Sequence, residues 1–291
     1  MTIPDPIRTA HPATLLCLAL VGTVPSAAMA ATAAAASGTG KPVRVILVGD
    51  STMATRSGYG DALCQRFKPD VACINLARGG RSSGSFRAEG RWDEVEKLLA
   101  DGAAFSASYV LIQFGHNDQP GKPGRSTDLV TQFPSNMERY ATQTVALGGI
   151  PVLVTPLTRR SFKGPWLRDD LAPWADATRR VAASKHFALL DLNRLSADAV
   201  QAMGSAEADT LAQEPPPAAQ ASTQTAGATL HASGTPAVTG AGTATEPQGA
   251  PKSAFDRTHV GPKGAALFST MVASELRRLF PSLQSQFKQE P

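Results

Sequence analysis

Short apolar runs separated by amphipathic stretches dominate the chain. Val43–Val48 (VRVILV) is a β-branched run closed by Gly49-Asp50 and predicts a buried strand. Further strands are predicted over Val71–Ala77, Tyr109–Phe114, Pro151–Thr155 and Phe187–Leu192. Helices are predicted between them. Tyr59–Phe67 is one. Trp92, Val95 and Leu99 recur at helical spacing with charged residues on the other faces. Phe133–Leu147 and Leu171–Lys185 are two more. Phe268, Val272, Leu276 and Leu279 form one stripe, so Pro262–Phe280 is predicted as a helix opened by proline. Strands alternating with helices, joined by right-handed crossovers, predict an α/β fold: a three-layer α/β/α sandwich around a five-stranded parallel sheet.

Composition changes this picture at two places. From Gly204 to Lys252 the chain is Ala, Thr, Gly, Pro, Gln and Ser without an aromatic residue. Such a stretch buries too little apolar surface to offset its ordering entropy, and is expected to be a disordered low-complexity insert. Because it leads into the last polar block, an active-site lid is the alternative. His231 lies inside it and is set aside as a catalyst. At the other end, Arg8, the apolar Ala13–Val24 and Ala28-Met29-Ala30 have the order of an export signal cut after Ala30. The expected organisation is a signal peptide at 1–30, a linker at 31–40, the α/β domain at 41–203 and 253–281 interrupted by the insert at 204–252, and a tail at 282–291. The expected location is secreted or periplasmic.

The 28 Lys and Arg exceed the 24 Asp and Glu by four, but they are spread along the chain. No nucleic-acid partner and no membrane partner is expected. After cleavage two cysteines remain, Cys64 and Cys73. They are read either as a short disulfide in an oxidising compartment or as two buried thiols. No Cys/His cluster suggests a metal, and no cofactor is expected.

Four polar motifs fall at strand ends or in the last loop. These are Gly49-Asp50-Ser51-Thr52, Gly79-Gly80-Arg81-Ser82, Gly115-His116-Asn117-Asp118 and Asp256-Arg257-Thr258-His259. In the common strand order 2-1-3-4-5, the first three stand side by side where ligands bind in open parallel sheets. A serine hydroxyl needs a base, and His259 supplies one. Asp256, three residues earlier, can hold its tautomer and stabilise the imidazolium. The N–H groups of Ser51 and Gly80 and the Asn117 amide can converge on an oxyanion. The catalytic candidates are therefore Ser51, Asp256 and His259, with Ser51, Gly80 and Asn117 as the oxyanion hole. Asp50 and Asp118 are expected to bond loop backbone. His116 and His186 are assigned no catalytic role. Arg81 is the candidate substrate contact, able to meet a carboxylate with two hydrogen bonds. Arg78 and Arg87 are weaker candidates, and all three can equally be surface residues. Phe162, Trp166 and Trp174 either stack on a substrate ring or pack.

GDST, GGRSS, GHND and DRTH, in that order, resemble the four blocks of the SGNH (GDSL-type) hydrolases. NLARGGRSS, FGHND and THVGPKGA are similar to the rhamnogalacturonan acetylesterase-like branch, carbohydrate esterase family 12. The resemblance covers Val43–Phe280 outside the insert. It implies a flavodoxin-like sandwich, a metal-free serine esterase and an acetylated, pectic polysaccharide as substrate. A monomer is expected. Thr52 departs from the Leu of the generic signature, although the acetylesterase branch commonly has it. Two alternatives remain open: a lipid or aryl esterase on the same fold, and a non-catalytic carbohydrate-binding protein.

Overall fold

The computed structural model describes residues 40–214 and 255–289. The expected signal peptide, His231 and most of the low-complexity insert lie outside the described residues. Strand β1 (Val43–Gly49) leads through α1 (Gly60–Cys64) to β2 (Ala72–Asn75). Helices α2 (Ser83–Ala88) and α3 (Trp92–Ala100) precede β3 (Ala107–Gln113). Helix α4 (Gln132–Ala146), β4 (Ile150–Val154) and a hairpin of β5 (Phe162–Lys163) and β6 (Trp166–Leu167) follow. The chain continues with α5 (Ala172–Lys185), β7 (Ala188–Leu190), α6 (Leu192–Asp209) and α7 (Pro262–Leu279).

Five strands form one parallel sheet in the order β2-β1-β3-β4-β7, as the strand order inferred from sequence requires. The strands lack polar alternation because both faces are covered. Val45 and Leu47 of β1, with Tyr109 and Leu111 of β3, point to a core that α1, α6 and α7 close with Leu63, Val200, Phe268 and Val272. Ile46, Val48, Val110 and Ile112 point to the opposite core, closed by Phe86, Trp92, Phe133, Tyr140 and Trp174 from α2 to α5. Strand periodicity thus sorts alternate residues into two cores.

The hydrophobic pattern does not predict α2, α6 or the β5–β6 hairpin. Helix α2 has six residues, too few to show a stripe, and is set by a reciprocal Ser82–Ser85 capping box. Helix α6 is polar and Ala-rich, and a kink at Gly204 (φ 73°) interrupts it. It carries the folded chain past the expected start of the insert. Ala208, Asp209, Leu211 and Ala212 are buried, so composition places the boundary at Gly204 too early. Helix α1 ends at Cys64 rather than Phe67.

Cys64, closing α1, is disulfide-bonded to Cys73 on β2, with Cα atoms 5.3 Å apart. Of the two readings open from sequence, this is the bridged one. The bond closes a loop nine residues long in sequence separation. Constraining a loop of that size in the unfolded chain stabilises by about 2–3 kcal/mol. Replacing both cysteines by alanine is therefore expected to lower the urea-unfolding free energy by that amount. An unchanged midpoint and slope would contradict the bridge.

Candidate active site

The loops at the carboxyl ends of β1, β2 and β3 leave the sheet side by side. Gly49 is paired with Gln113, and Leu47 with Asn75. Beyond β1 the chain turns tightly at Asp50, whose carbonyl accepts from the N–H groups of Met53 and Ala54. The Asp50 carboxylate, fully buried, accepts from Thr52 N–H (2.9 Å) and from the Thr52 hydroxyl (2.8 Å). Gln113 Nε2 donates to that hydroxyl at 2.7 Å, and Tyr59 OH donates to Gln113 Oε1 at 2.7 Å. The threonine that departs from the generic signature is thus a polar link in a buried chain, a place a leucine could not fill. His116 Nδ1 lies 3.3 Å from Asp50 Oδ2, close enough for charge interaction but poorly aligned for a hydrogen bond. Burial raises the Asp50 pKa. The His116 charge and the Thr52 donors outweigh it and hold the carboxyl below its ordinary value. Burial pulls the His116 pKa down, against the attraction of Asp50.

Beyond β2, Arg78 N–H donates to Gly49 O (2.9 Å), which brings the second motif against the first. A Cβ added at Gly79 would stand 3.8 Å from Ser51 Cβ. Gly80 has φ +77°, a conformation that favours glycine. Beyond β3, Asn117 Nδ2 donates to Arg81 O at 3.1 Å. That uses one of the two amide hydrogens. The second, and the backbone N–H groups of Ser51 and Gly80, donate to no protein group among the described residues. Asn117 and Ser51 are 7% and 8% exposed, so these donors are sheltered yet open to a small ligand.

Asp256 and His259 sit just before α7. Asp256 Oδ2 lies 2.7 Å from His259 Nδ1, while its Oδ1 accepts from the N–H groups of Thr258 (2.8 Å) and His259 (3.0 Å). Partial burial raises the Asp256 pKa. The hydrogen bond and charge of His259 and the two backbone donors overcome it and leave the carboxyl far below the usual range. The segment reaches the Ser51 turn through Ser57. Val260 N–H donates to Ser57 O (3.0 Å), and Ser57 Oγ donates to Ser51 O (2.8 Å).

Three supports of this segment are not evident in the sequence. The guanidinium of Arg160, fully buried, donates through Nη2 to Asp256 O (3.1 Å) and His259 O (2.7 Å). Burial lowers its pKa to about 10, against the pull of Asp256 and Asp209. Arg257 forms a two-bond pair with buried Asp209, both at 3.0 Å. Leu211 O accepts from Gly261 N–H at 3.0 Å, and a Cβ at Gly261 would lie 2.5 Å from Ala212 O, so this close approach admits only glycine.

All five candidates, Ser51, Gly80, Asn117, Asp256 and His259, therefore belong to loops that are bonded to one another. Arg81 is different. Its Nε lies 3.2 and 3.0 Å from the two Glu89 oxygens, and its Nη1 donates to Gly79 O at 2.7 Å. It braces the loop instead of presenting an unpaired guanidinium. Trp174 is buried and Phe162 partly so, whereas Trp166 is exposed. Among the described residues, no group of His, Cys, Asp and Glu is arranged to hold a metal ion.

Asp118 joins the second and third motifs. It accepts from Ser83 Oγ (2.6 Å), Ser83 N–H (3.1 Å) and Thr127 Oγ1 (2.9 Å). Burial outweighs these donors and raises its pKa to about 6. A carboxyl whose pKa is raised on folding contributes stability at low pH and loses it as pH rises through the folded value. The stability of the wild type relative to Asp118→Asn is expected to fall by about 2 kcal/mol from pH 4 to pH 7. Urea titrations at the two pH values measure it, and a difference that stays constant or grows with pH would contradict the assignment.

Comparison with known proteins agrees with this arrangement. Residues 36–267 match the GDSL-like lipase/acylhydrolase family. The chain is 33% identical over 179 residues to rhamnogalacturonan acetylesterase RhgT of Bacillus subtilis, covering 59% of this chain and 74% of that protein. It is 29% identical over 155 residues to the probable rhamnogalacturonan acetylesterase YesY of the same organism, covering 51% and 69%. The solved structure of YxiM from Bacillus subtilis superimposes with a TM-score of 0.54 at 19% identity, over 81% of this chain and 56% of that one. This chain thus spans just over half of the YxiM chain. With the match running through the Ser51 turn, the Gly80 and Asn117 loops and the Asp256–His259 segment, this chain belongs to the GDSL-like lipase/acylhydrolase family.

Proposed function

We propose that the protein is a secreted serine carbohydrate esterase that removes acetyl groups from a pectic polysaccharide of the rhamnogalacturonan type. One observation carries the reading. Three N–H donors, on Ser51, Gly80 and Asn117, are left without protein acceptors beside a serine whose turn is tied to an Asp-His pair. A ligand oxygen that gains negative charge completes this set, as an ester carbonyl does on attack.

The steps follow from that geometry. Ser51 Oγ bonds to the acetyl carbon while its proton passes to His259 Nε2. Asp256, bonded to Nδ1, stabilises the imidazolium that forms. The oxyanion rests on the three donors. On collapse the C–O bond to the sugar breaks, and the sugar oxygen takes the proton from His259. Water then gives a proton to His259 as it attacks the acyl carbon; the bond to Ser51 Oγ breaks, Oγ takes that proton back from His259, and acetic acid leaves and ionises in water. The names of RhgT and YesY support acetylated rhamnogalacturonan as the substrate class. The apolar segment ending at Ala28-Met29-Ala30 supports export, with Ala31 as the first mature residue.

Acetate release from acetylated rhamnogalacturonan and from a small aryl acetate tests the reading. Wild type is expected to release acetate from both, and Ser51→Ala from neither. Asn117→Ala is expected to lose about 10²–10³ in kcat with KM little changed. Hydrolysis of long-chain esters in preference to acetyl esters would move the assignment to a lipid esterase. Binding of the polymer without any acetate release would move it to a binding protein.

A further inference from the structure

An open groove of about 500 Å³ runs beside the second motif, lined by Ser85, Arg125, Thr127, Thr131, Gln132 and Asn136 among others. Its lining holds hydroxyls and amides and not one carboxylate. Its wall is continuous with the site. Thr127 Oγ1 donates to Asp118, and Asn136 Nδ2 donates to Ser83 Oγ (3.0 Å). Arg125 Nη1 donates to the carbonyl of Gly80 (3.0 Å), so its guanidinium lies directly against the oxyanion-hole glycine.

Three arginines around the site carry an acid, and a fourth, Arg160, is turned onto the carbonyls of Asp256 and His259. Arg81 has Glu89, Arg159 has Asp170, and Arg257 has Asp209. Arg78 has none but is exposed. Arg125 is half-buried, and the bond to Gly80 is the single hydrogen bond of its side chain among the described residues. The acid nearest to it in sequence, Asp128, is turned onto the N–H groups of Val130 and Thr131 and the Thr131 hydroxyl. The edge of Arg125 formed by Nε and Nη2 therefore keeps its pair of donors, in the spacing that a carboxylate accepts.

We infer that this groove is a subsite for the polysaccharide chain beside the acetylated sugar, and that Arg125 there binds a uronate carboxylate through Nε and Nη2. The inference rests on the reading of the site as one for polysaccharide. The carboxylate would stand next to Gly80, so its recognition would set the register of the acetyl group over Ser51. The role assigned from sequence to Arg81 passes to Arg125, which reaches the same loop from 45 positions further along the chain.

Calorimetric binding of acetyl-free rhamnogalacturonan oligosaccharides to the full chain tests this without any ester chemistry. The free-acid form is compared with the same oligosaccharides methyl-esterified at their uronates. Wild type is expected to bind the free acid about tenfold more tightly, a preference that weakens with added salt. Arg125→Gln should abolish the preference, and Arg125→Lys should retain part of it. That pattern supports the subsite whether or not acetate is released in the hydrolysis assay. Equal affinity of wild type for acid and ester, or a preference that survives in Arg125→Gln, would overturn it while leaving ester hydrolysis untouched. The wild-type comparison of the two ligands keeps the test decisive if a variant folds poorly.

Discussion

The parallel pairing of β1 with β2 on one side and β3 on the other is the constraint on which the rest of the site depends. Parallel strands in register end at one edge, and their following loops must leave there together. Gly49 opposite Gln113 puts the Ser51 turn beside the loop that carries Asn117. The same register delivers Gln113 to Thr52, which locks the turn through Asp50. A slip by one residue would exchange the two cores and also break this buried polar chain, so packing and chemistry specify the same register.

The Asp-His pair reaches that edge by other means, since no strand carries it. Its segment is held by bonds to residues distant in the chain. A single buried cation, Arg160, grips the carbonyls of both Asp256 and His259. The pair of Arg257 with Asp209 and the contact of Gly261 with Leu211 fix the same segment at its middle and its end. Charge-assisted bonds of this kind, sheltered from water, hold a loop more firmly than surface ion pairs such as Arg81 with Glu89. The end of α6 thereby does structural work for the site although it lies far from Ser51 in sequence.

The sheet was legible because each strand is a compact apolar run bounded by glycine or polar residues, and the motifs after three of them give their own order. Ser51, Gly80 and Asn117 could be named as candidates because they follow apolar strands, and Asp256 and His259 because a spacing of three residues lets a carboxylate meet an imidazole. What stayed hidden depends on distant partners. Arg160 acts on residues 96 to 99 positions away, and Asp209 on one 48 positions away. Nothing in the local pattern distinguishes either from a surface charge. Asp209 also sits in a stretch whose Ala, Ser and Gly content resembles the low-complexity sequence that follows it. The position of Arg81 after β2 suggests a substrate contact, but the side chain is paired with the neighbouring Glu89.

The central claim is that Ser51 is a nucleophile activated by His259. Intact-mass and peptide mass analysis of protein treated with a fluorophosphonate tests it most directly. One covalent adduct is expected, located on Ser51, whose formation is slowed by at least about a hundredfold in His259→Ala, since general-base assistance contributes on the order of 10²–10⁴ in rate. A folded protein that takes up no reagent, or takes it up on another residue, would contradict it.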